Sequence, residues 1–237
     1  MIRTFSVVVF CVMSAVSFAQ PLTANQLFLK LRARLDAVKD YEADVSMKID
    51  IPFIKVPRLK GKLYFKAPDK MKLERNGGIS ILPRNGVNLT MNNLVPNADA
   101  AVIDAGKDML NGKELRLIKV IPANEQDPII LTKIWVDENK ILAMRMETTT
   151  RDNGTVKMDL DYGRYEKLGL PDKVQFQMDV KDFKLPKGVT MDYDGDTKPA
   201  AQKANAGGRK KGRIEIDYQD YKVNKGIPDK VFAEKRQ

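Results

Sequence analysis

The chain has 237 residues, 41 of them Lys or Arg and 31 Asp or Glu, giving a formal net charge of +10 with one cysteine and no histidine. Without histidine there is no Ser-His-Asp or Cys-His nucleophile pair, no zinc site of the usual nitrogen or sulfur type, and no side chain that ordinarily titrates near neutrality. No spacing of the acids singles out a carboxylate pair for glycoside hydrolysis. The chain is therefore expected not to be an enzyme, and to hold no cofactor and no metal.

Residues 1–19 read as a secretory signal peptide. Arg3 precedes an apolar run from Phe5 to Phe18, and Ser17 and Ala19 supply the small residues of a cleavage site after Ala19. Cys11 lies inside that run without a lipidation box before it, so cleavage leaves a mature chain with no thiol. Residues 20–237 are expected to form a single domain, a monomer, with the net charge lowered by the loss of Arg3. A strongly basic chain ordinarily suggests nucleic acid, but export argues for anionic membrane surfaces or acidic partners instead.

Thr23 to Asp40 is predicted as the one long helix. Thr23 and Gln26 make a capping box, Leu22 and Leu27 a hydrophobic staple, and Leu27, Leu31, Leu35 and Val38 an apolar stripe. From Glu42 the period changes to two: Ala43, Val45, Met47, Ile49 and Ile51 alternate with Asp44, Ser46, Lys48 and Asp50. The stretch Pro57–Glu74 reads as a hairpin with an oily and a cationic side. Leu59, Gly61, Leu63 and Phe65 alternate with Lys60, Lys62, Tyr64 and Lys66, Ala67-Pro68-Asp69 turns the chain, and Met71 and Leu73 resume the apolar face.

A second, short helix is predicted over Ala98–Leu110, capped by Asn97 and ended by Asn111-Gly112. Ala98, Ala101, Val102, Ala105 and Met109 share its apolar face, which is built of small residues and would be held weakly. Val102, Ala105 and Met109 are accordingly the candidate lid. Strands follow at Lys113–Ile121, Ile129–Asp137, Ile141–Thr149, Thr155–Tyr165 and Lys173–Val180, with Asn153-Gly154 as a hairpin turn. The acidic run 192–196 reads as a solvated turn, since Gly195 comes too early for a calcium loop. Lys198 to Arg213 carries six basic residues and no acid, the pattern of a mobile loop.

The chain also repeats itself. Leu160-Asp161-Tyr162-Gly163-Arg164-Tyr165 is followed by Gly169-Leu170-Pro171-Asp172-Lys173-Val174, and Ile216-Asp217-Tyr218-Gln219-Asp220-Tyr221 by Gly226-Ile227-Pro228-Asp229-Lys230-Val231. Each copy reads as a strand, a turn and a returning strand.

So many one-sided strands with so little helix imply an α+β fold: an incomplete, half-open antiparallel β-barrel, a strongly curved sheet whose concave face is plugged by helices. Surplus apolar surface then becomes a cavity. Its candidate lining is Leu31 and Leu35 from the helix, with Val45, Met47, Ile49, Leu63, Phe65, Met71 and Leu73 from the opening strands. Met144, Met146, Met158, Leu160, Phe176 and Met178 come from the later ones. Thioethers suit a wall that repacks around variable apolar cargo.

The run Val38-Lys39-Asp40-Tyr41-Glu42-Ala43-Asp44-Val45 after a long helix, and then Gly61-Lys62-Leu63-Tyr64-Phe65-Lys66-Ala67-Pro68-Asp69, resembles the periplasmic lipoprotein carriers of the LolA-like superfamily. The closing Gly226-Ile227-Pro228-Asp229-Lys230-Val231-Phe232 is similar to the ends of its outer-membrane lipoprotein-sorting members. The resemblance implies an incomplete barrel with a helical lid that carries lipoprotein acyl chains between an inner-membrane donor and an outer-membrane acceptor. One departure is Ala67, where the family has an arginine that contributes to lid closure. The alternative function is a lipid-sensing periplasmic regulator that docks on a membrane signalling protein; stable capture of such a partner, rather than transfer, separates the two.

Overall fold

The structure, a computed structural model, describes residues 21–51, 54–55, 57–75, 94–152, 154–179 and 211–233. The signal peptide, the acidic turn at 192–196 and most of the basic stretch lie outside these residues.

The helix forms where the caps place it. In α1 (Ala24–Asp36) the Thr23 hydroxyl accepts the Gln26 amide at 3.2 Å, and the Gln26 side chain accepts the Thr23 amide at 3.0 Å. Leu27, Phe28, Leu31 and Leu35 form its buried stripe, each fully buried side chain contributing about 1.5–3 kcal/mol. The helix stops before the expected Asp40 because that residue already belongs to the sheet. Asp40 is buried, and its carboxylate accepts the amides of Lys225 and Gly226 at 2.9 and 3.1 Å.

Among the described residues, eleven strands make one antiparallel sheet: β1 (Asp40–Ile51), β2 (Ile54–Lys55), β3 (Leu59–Lys66), β4 (Lys70–Arg75), β5 (Ala101–Leu110), β6 (Lys113–Ile121), β7 (Ile129–Asp137), β8 (Leu142–Thr150), β9 (Gly154–Asp161), β10 (Lys173–Asp179) and β11 (Lys211–Val223). Their spatial order is β4-β3-β1-β11-β10-β9-β8-β7-β6-β5, with β2 paired to β1 alone. The sheet is curved and open, its end strands β4 and β5 being unpaired to each other. Ala43 and Val45 of β1, Leu63 and Phe65 of β3, Leu73 of β4, Val156, Met158 and Leu160 of β9 and Val174, Phe176 and Met178 of β10 share the concave face with α1, in one core that also takes Ile118, Val120, Ile134 and Val136.

The predicted helix Ala98–Leu110 is instead the edge strand β5, paired with β6 from Ala101↔Ile121 to Leu110↔Lys113. Two local features disguised it. A bulge lies between Asp104 and Lys107, where Gly106 has φ +78° and its amide donates to Asp104 Oδ1 at 2.9 Å. The extra residue breaks the period of two and mimics a helical spacing. Asn111 and Gly112, read as a helix stop, both have positive φ (51° and 77°) and form the tight turn of a β5–β6 hairpin.

Two more expectations change. The second repeat does not return as a strand: Asp229–Phe232 is a 3₁₀ turn. Both edges of β11 are already occupied, by β1 and β10, so no ladder is free for it. It lies instead on the outer face of the β3–β4 hairpin, where Lys66 and Lys70 reach Asp229 at 2.8 and 3.0 Å and the buried Lys72 donates to the Val231 carbonyl at 2.7 Å. The basic stretch predicted as a loop to Arg213 gives up its last residues, Lys211–Arg213, to β11, where they pair with Gln177–Asp179.

Between β4 and β5 the chain passes from one edge of the sheet to the other. Residues 94–100 are the described part of that crossing. Leu94 and Val95 are buried in the main core, and the buried hydroxyls of Thr132 and Thr148 lie 3.0 and 2.9 Å from the Leu94 carbonyl. From the helix side, Arg32 donates to the Val95 carbonyl at 3.0 Å. Leu94 and Val95 are thus held between α1 and strands β7 and β8.

Candidate ligand cavity

The C-terminal end of α1 spans a seam over the concave face. Arg34 fixes it there, donating to the carbonyls of Glu166 and Lys167 at 2.8 and 2.9 Å and to that of Lys140. Beneath lies a cavity of about 60 Å³. Leu35 and Val38 roof it. Phe65, Met71, Met158, Val174 and Phe176 form the apolar floor, and Tyr41, Tyr218, Tyr221 and the Gly169–Pro171 turn close one side.

Of the predicted lining, Leu35, Phe65, Met71, Met158 and Phe176 reach this cavity. Leu31, Val45, Leu63, Leu73, Met146, Leu160 and Met178 are packed into the surrounding core; Met47 is partly buried against it, and Ile49 is half-buried on the same strand face. Met144 goes elsewhere. The β7–β8 register shifts at Trp135↔Arg145 and Val136↔Ala143, leaving Met144 as the extra residue of a bulge. It therefore leaves the face of Met146 and packs with Leu110, Leu115, Leu117 and Trp135 on the opposite side of the sheet. The Trp135 indole there donates to Asp108 at 2.8 Å, with the Arg145 guanidinium 6.0 Å from the ring centre.

The lid residues are also displaced. Val102 is half-buried against the core and Ala105 half-buried, whereas Met109 is 62% exposed, all three on β5. They form no helical lid over the seam.

Sequence reasoning passed over the tyrosines. In both repeats two tyrosines stand three apart, a spacing that puts them on opposite faces of a regular strand. In β11 the register shifts opposite Glu42/Asp44, and Asp220 has φ +49°. That bulge turns Tyr218 and Tyr221 to the same side, with their rings stacked at 5.4 Å. Tyr165 of the first repeat meets Tyr221 edge-on at 4.9 Å, and Tyr41 does so at 5.2 Å while stacking on Phe65 at 5.1 Å. The two repeats supply one aromatic cluster. Their shared Asp-Tyr-x-x-Tyr spacing was the available signal.

Burial raises the pKa of Tyr41, Tyr162, Tyr218 and Tyr221 above the usual phenol value, so all four stay neutral at any physiological pH. The Tyr221 hydroxyl donates to the Pro171 carbonyl at 2.9 Å and that of Tyr162 to the Ala143 carbonyl at 3.0 Å. Among the described residues, no charged side chain lines the cavity. Among the described residues, no three or more His, Cys, Asp or Glu cluster where they could hold a metal ion, and no helix is long and apolar enough to cross a membrane.

Ala67, at the position of the family's arginine, is half-buried against the core. Its amide donates to the Lys39 carbonyl at 2.7 Å.

No sequence-family model matches the chain, and no curated protein does. Solved structures do match in fold. A domain from Vibrio parahaemolyticus assigned to outer membrane lipoprotein sorting aligns with a TM-score of 0.55 at 10% identity, over 88% of this chain and 95% of its own. A DUF1329 family protein from Desulfovibrio piger aligns at 0.53 and 11% identity, over 89% and 95%. A LolA superfamily protein from Nitrosomonas europaea aligns at 0.50 and 10%, over 90% and 98%. The fold is LolA-like.

Proposed function

We propose that this LolA-like chain is a periplasmic carrier, which takes acyl chains of lipoproteins or other lipids beneath α1 and hands them on toward the outer membrane. The observation that carries the reading is the uncharged cavity between α1 and the concave sheet, walled by Met71, Met158, Phe65 and Phe176. The fold shared with a domain assigned to lipoprotein sorting supports it. The leader at residues 1–19 would bring the chain to that compartment.

Capture is by burial, without covalent chemistry. Each methylene taken from water contributes about 0.8 kcal/mol, so about a dozen contribute on the order of 10 kcal/mol before costs. The cavity of about 60 Å³ is small beside the roughly 300–1,000 Å³ of ordinary ligand sites. Uptake must therefore displace methionine and aromatic side chains or lift α1 and the crossing, and that work is subtracted from the affinity. The same work favours release: the pocket refills itself when the cargo leaves. The chain has no histidine, and the described lining is uncharged, so handover to the acceptor runs on competition for the acyl chain.

Mass spectrometry of lipid extracted from the protein purified out of its own periplasm tests this. Acylated species in near-stoichiometric amount are expected. Protein that carries no lipid, and whose bound apolar fluorophore no acyl lipid displaces, would overturn it.

A further inference from the structure

We propose that the outer face of the sheet carries a second binding site, a charged cleft between β3, β1, β11 and the β9–β10 connection, which takes a phosphoethanolamine group. The proposal goes beyond the carrier reading and does not rest on it.

The cleft has a volume of about 770 Å³, far larger than the cavity beneath α1 and within the roughly 300–1,000 Å³ of ordinary ligand sites. Lys60, Ser46, Asp217 and Lys173 stand in one cross-strand row over β3, β1, β11 and β10. Their chain neighbours Val45, Ile216 and Val174 belong to the core, so the row faces away from α1.

Two groups on the cleft wall are left without partners. The Arg164 amide donates to Asp172 Oδ2 at 3.0 Å, but Asp172 Oδ1 is buried and meets no donor among the described residues. Gly163 lets the carboxylate lie this close, since a Cβ there would stand 2.3 Å from Oδ2. On the β3 side, the Lys60 ammonium has no hydrogen bond or ion pair among the described residues. The other acids of the wall are matched: Asp217 by Arg58 at 3.3 Å and Lys173 at 3.4 Å, Asp44 by Lys62 at 3.4 Å. Arg164 pairs only with the exposed Asp220, at 3.9 Å.

An idle carboxylate oxygen calls for an N–H donor, and idle cations call for an anion. The second repeat shows what the aspartate of this turn accepts. Asp229, the counterpart of Asp172, takes the ammonium groups of Lys66 and Lys70 at 2.8 and 3.0 Å. A primary ammonium joined by two carbons to a phosphate meets both needs. The ammonium goes to Asp172, and the phosphate to Lys60 and the guanidinium forks of Arg58 and Arg164. Asp172 Oδ1 makes no bond within the protein, so tilting it into the cleft forfeits none of its own. A trimethylammonium group has no N–H to offer it.

Calorimetric titration of the mature protein with phosphoethanolamine and with phosphocholine tests this. Phosphoethanolamine is expected to bind about ten- to a hundredfold more tightly, the worth of one hydrogen bond to a charged group. Asp172→Asn, whose amide oxygen can still accept from the Arg164 N–H while its NH₂ takes the place of Oδ1, should erase that preference and leave phosphocholine affinity unchanged. Lys60→Gln, at an exposed position, should weaken both ligands alike. Should Asp172→Asn not fold, the wild-type preference and Lys60→Gln decide. Phosphatidylcholine vesicles with and without phosphatidylethanolamine identify the source. Capture only by the latter, prevented by soluble phosphoethanolamine, assigns the group to a membrane lipid; soluble binding without capture assigns it to a free compound, and both uphold the site. Equal binding of the two ligands, or a preference that survives Asp172→Asn, overturns it. So does binding of neither, or inorganic phosphate binding as tightly as phosphoethanolamine, which would mark an adventitious ion only. None of these outcomes touches the apolar cavity, which lipid extraction tests separately.

Discussion

The crossing at Leu94 offers a sharp test of how the space over the concave face is held shut. The hydroxyls of Thr132 and Thr148 lie 3.0 and 2.9 Å from the Leu94 carbonyl and 3.2 Å from each other. Three contacts share two protons, so the carbonyl always keeps at least one donor. Thr148→Val preserves shape and removes one hydroxyl; Thr132 still serves the carbonyl, and the loss should be about 1 kcal/mol. Thr132→Val alone should cost about the same. The double variant leaves a buried carbonyl with neither hydroxyl, which adds its desolvation penalty of about 1–3 kcal/mol. A double-mutant cycle from urea unfolding should therefore show coupling of at least about 1 kcal/mol. With a urea slope of about 2.5 kcal/mol/M, that shifts the midpoint by about 0.4 M beyond the additive value. The double variant should also take up an apolar fluorophore faster, because the crossing is released. Additive single effects would show that Leu94 is held by packing alone, and the counting of protons would be wrong.

Three further outcomes follow from particular side chains. Met146→Ala should cost about 2–5 kcal/mol in urea unfolding and Met144→Ala less than about 1.5, since Met146 is fully buried in the core and Met144 is only half-buried on the outer face; equal losses would contradict the bulge. Arg34→Ala should lower stability by about 2 kcal/mol, with Arg34→Lys restoring only part, because one guanidinium serves three carbonyls; full rescue by lysine would refute the fork. Asp229 has its carboxyl pulled down to about 2 by hydrogen bonds from Lys66 and Lys70. A depressed folded pKa contributes stability that is full above the unfolded value near 4 and lost as pH falls through about 2. Hydrogen exchange at residues 229–233 should therefore loosen between about pH 4 and 2 in wild type and show no such step in Asp229→Asn.

What was legible in the sequence was what repeats without interruption. The capping box at Thr23 and the clean alternations of Ala43–Ile49, Leu63–Leu73 and Val174–Met178 are local, and each lies on the face its period dictates. What was lost lies at single-residue bulges. One at Gly106 turned a strand into an apparent helix, one at Met144 sent a methionine to the wrong side, and one at Asp220 brought Tyr218 and Tyr221 together. A bulge inverts every side chain beyond it, and it is stabilised by the neighbouring strand rather than by its own residues. The fate of the second repeat was equally hidden. Nothing near Gly226 says that β1 and β10 already occupy both edges of β11.

That placement of β11 governs how the protein folds. Strands β5 to β10 form a meander of neighbours in sequence, and β1 with β3 and β4 forms another; among the described strands only β11 joins the two, pairing with β1 on one edge and β10 on the other. The register Tyr41↔Val223 closes a loop of most of the chain, the kind of long-range contact that slows folding. A chain emerging amino-end first, from a ribosome or through a pore, therefore holds two unjoined pieces of sheet until residues 211–223 arrive. The clasp comes late, and before it the cavity lacks the side that Tyr218 and Tyr221 of β11 close. A chain stopped at residue 210 should bind an apolar dye strongly and show no cooperative unfolding, the signature of half-sheets with their inner faces bare.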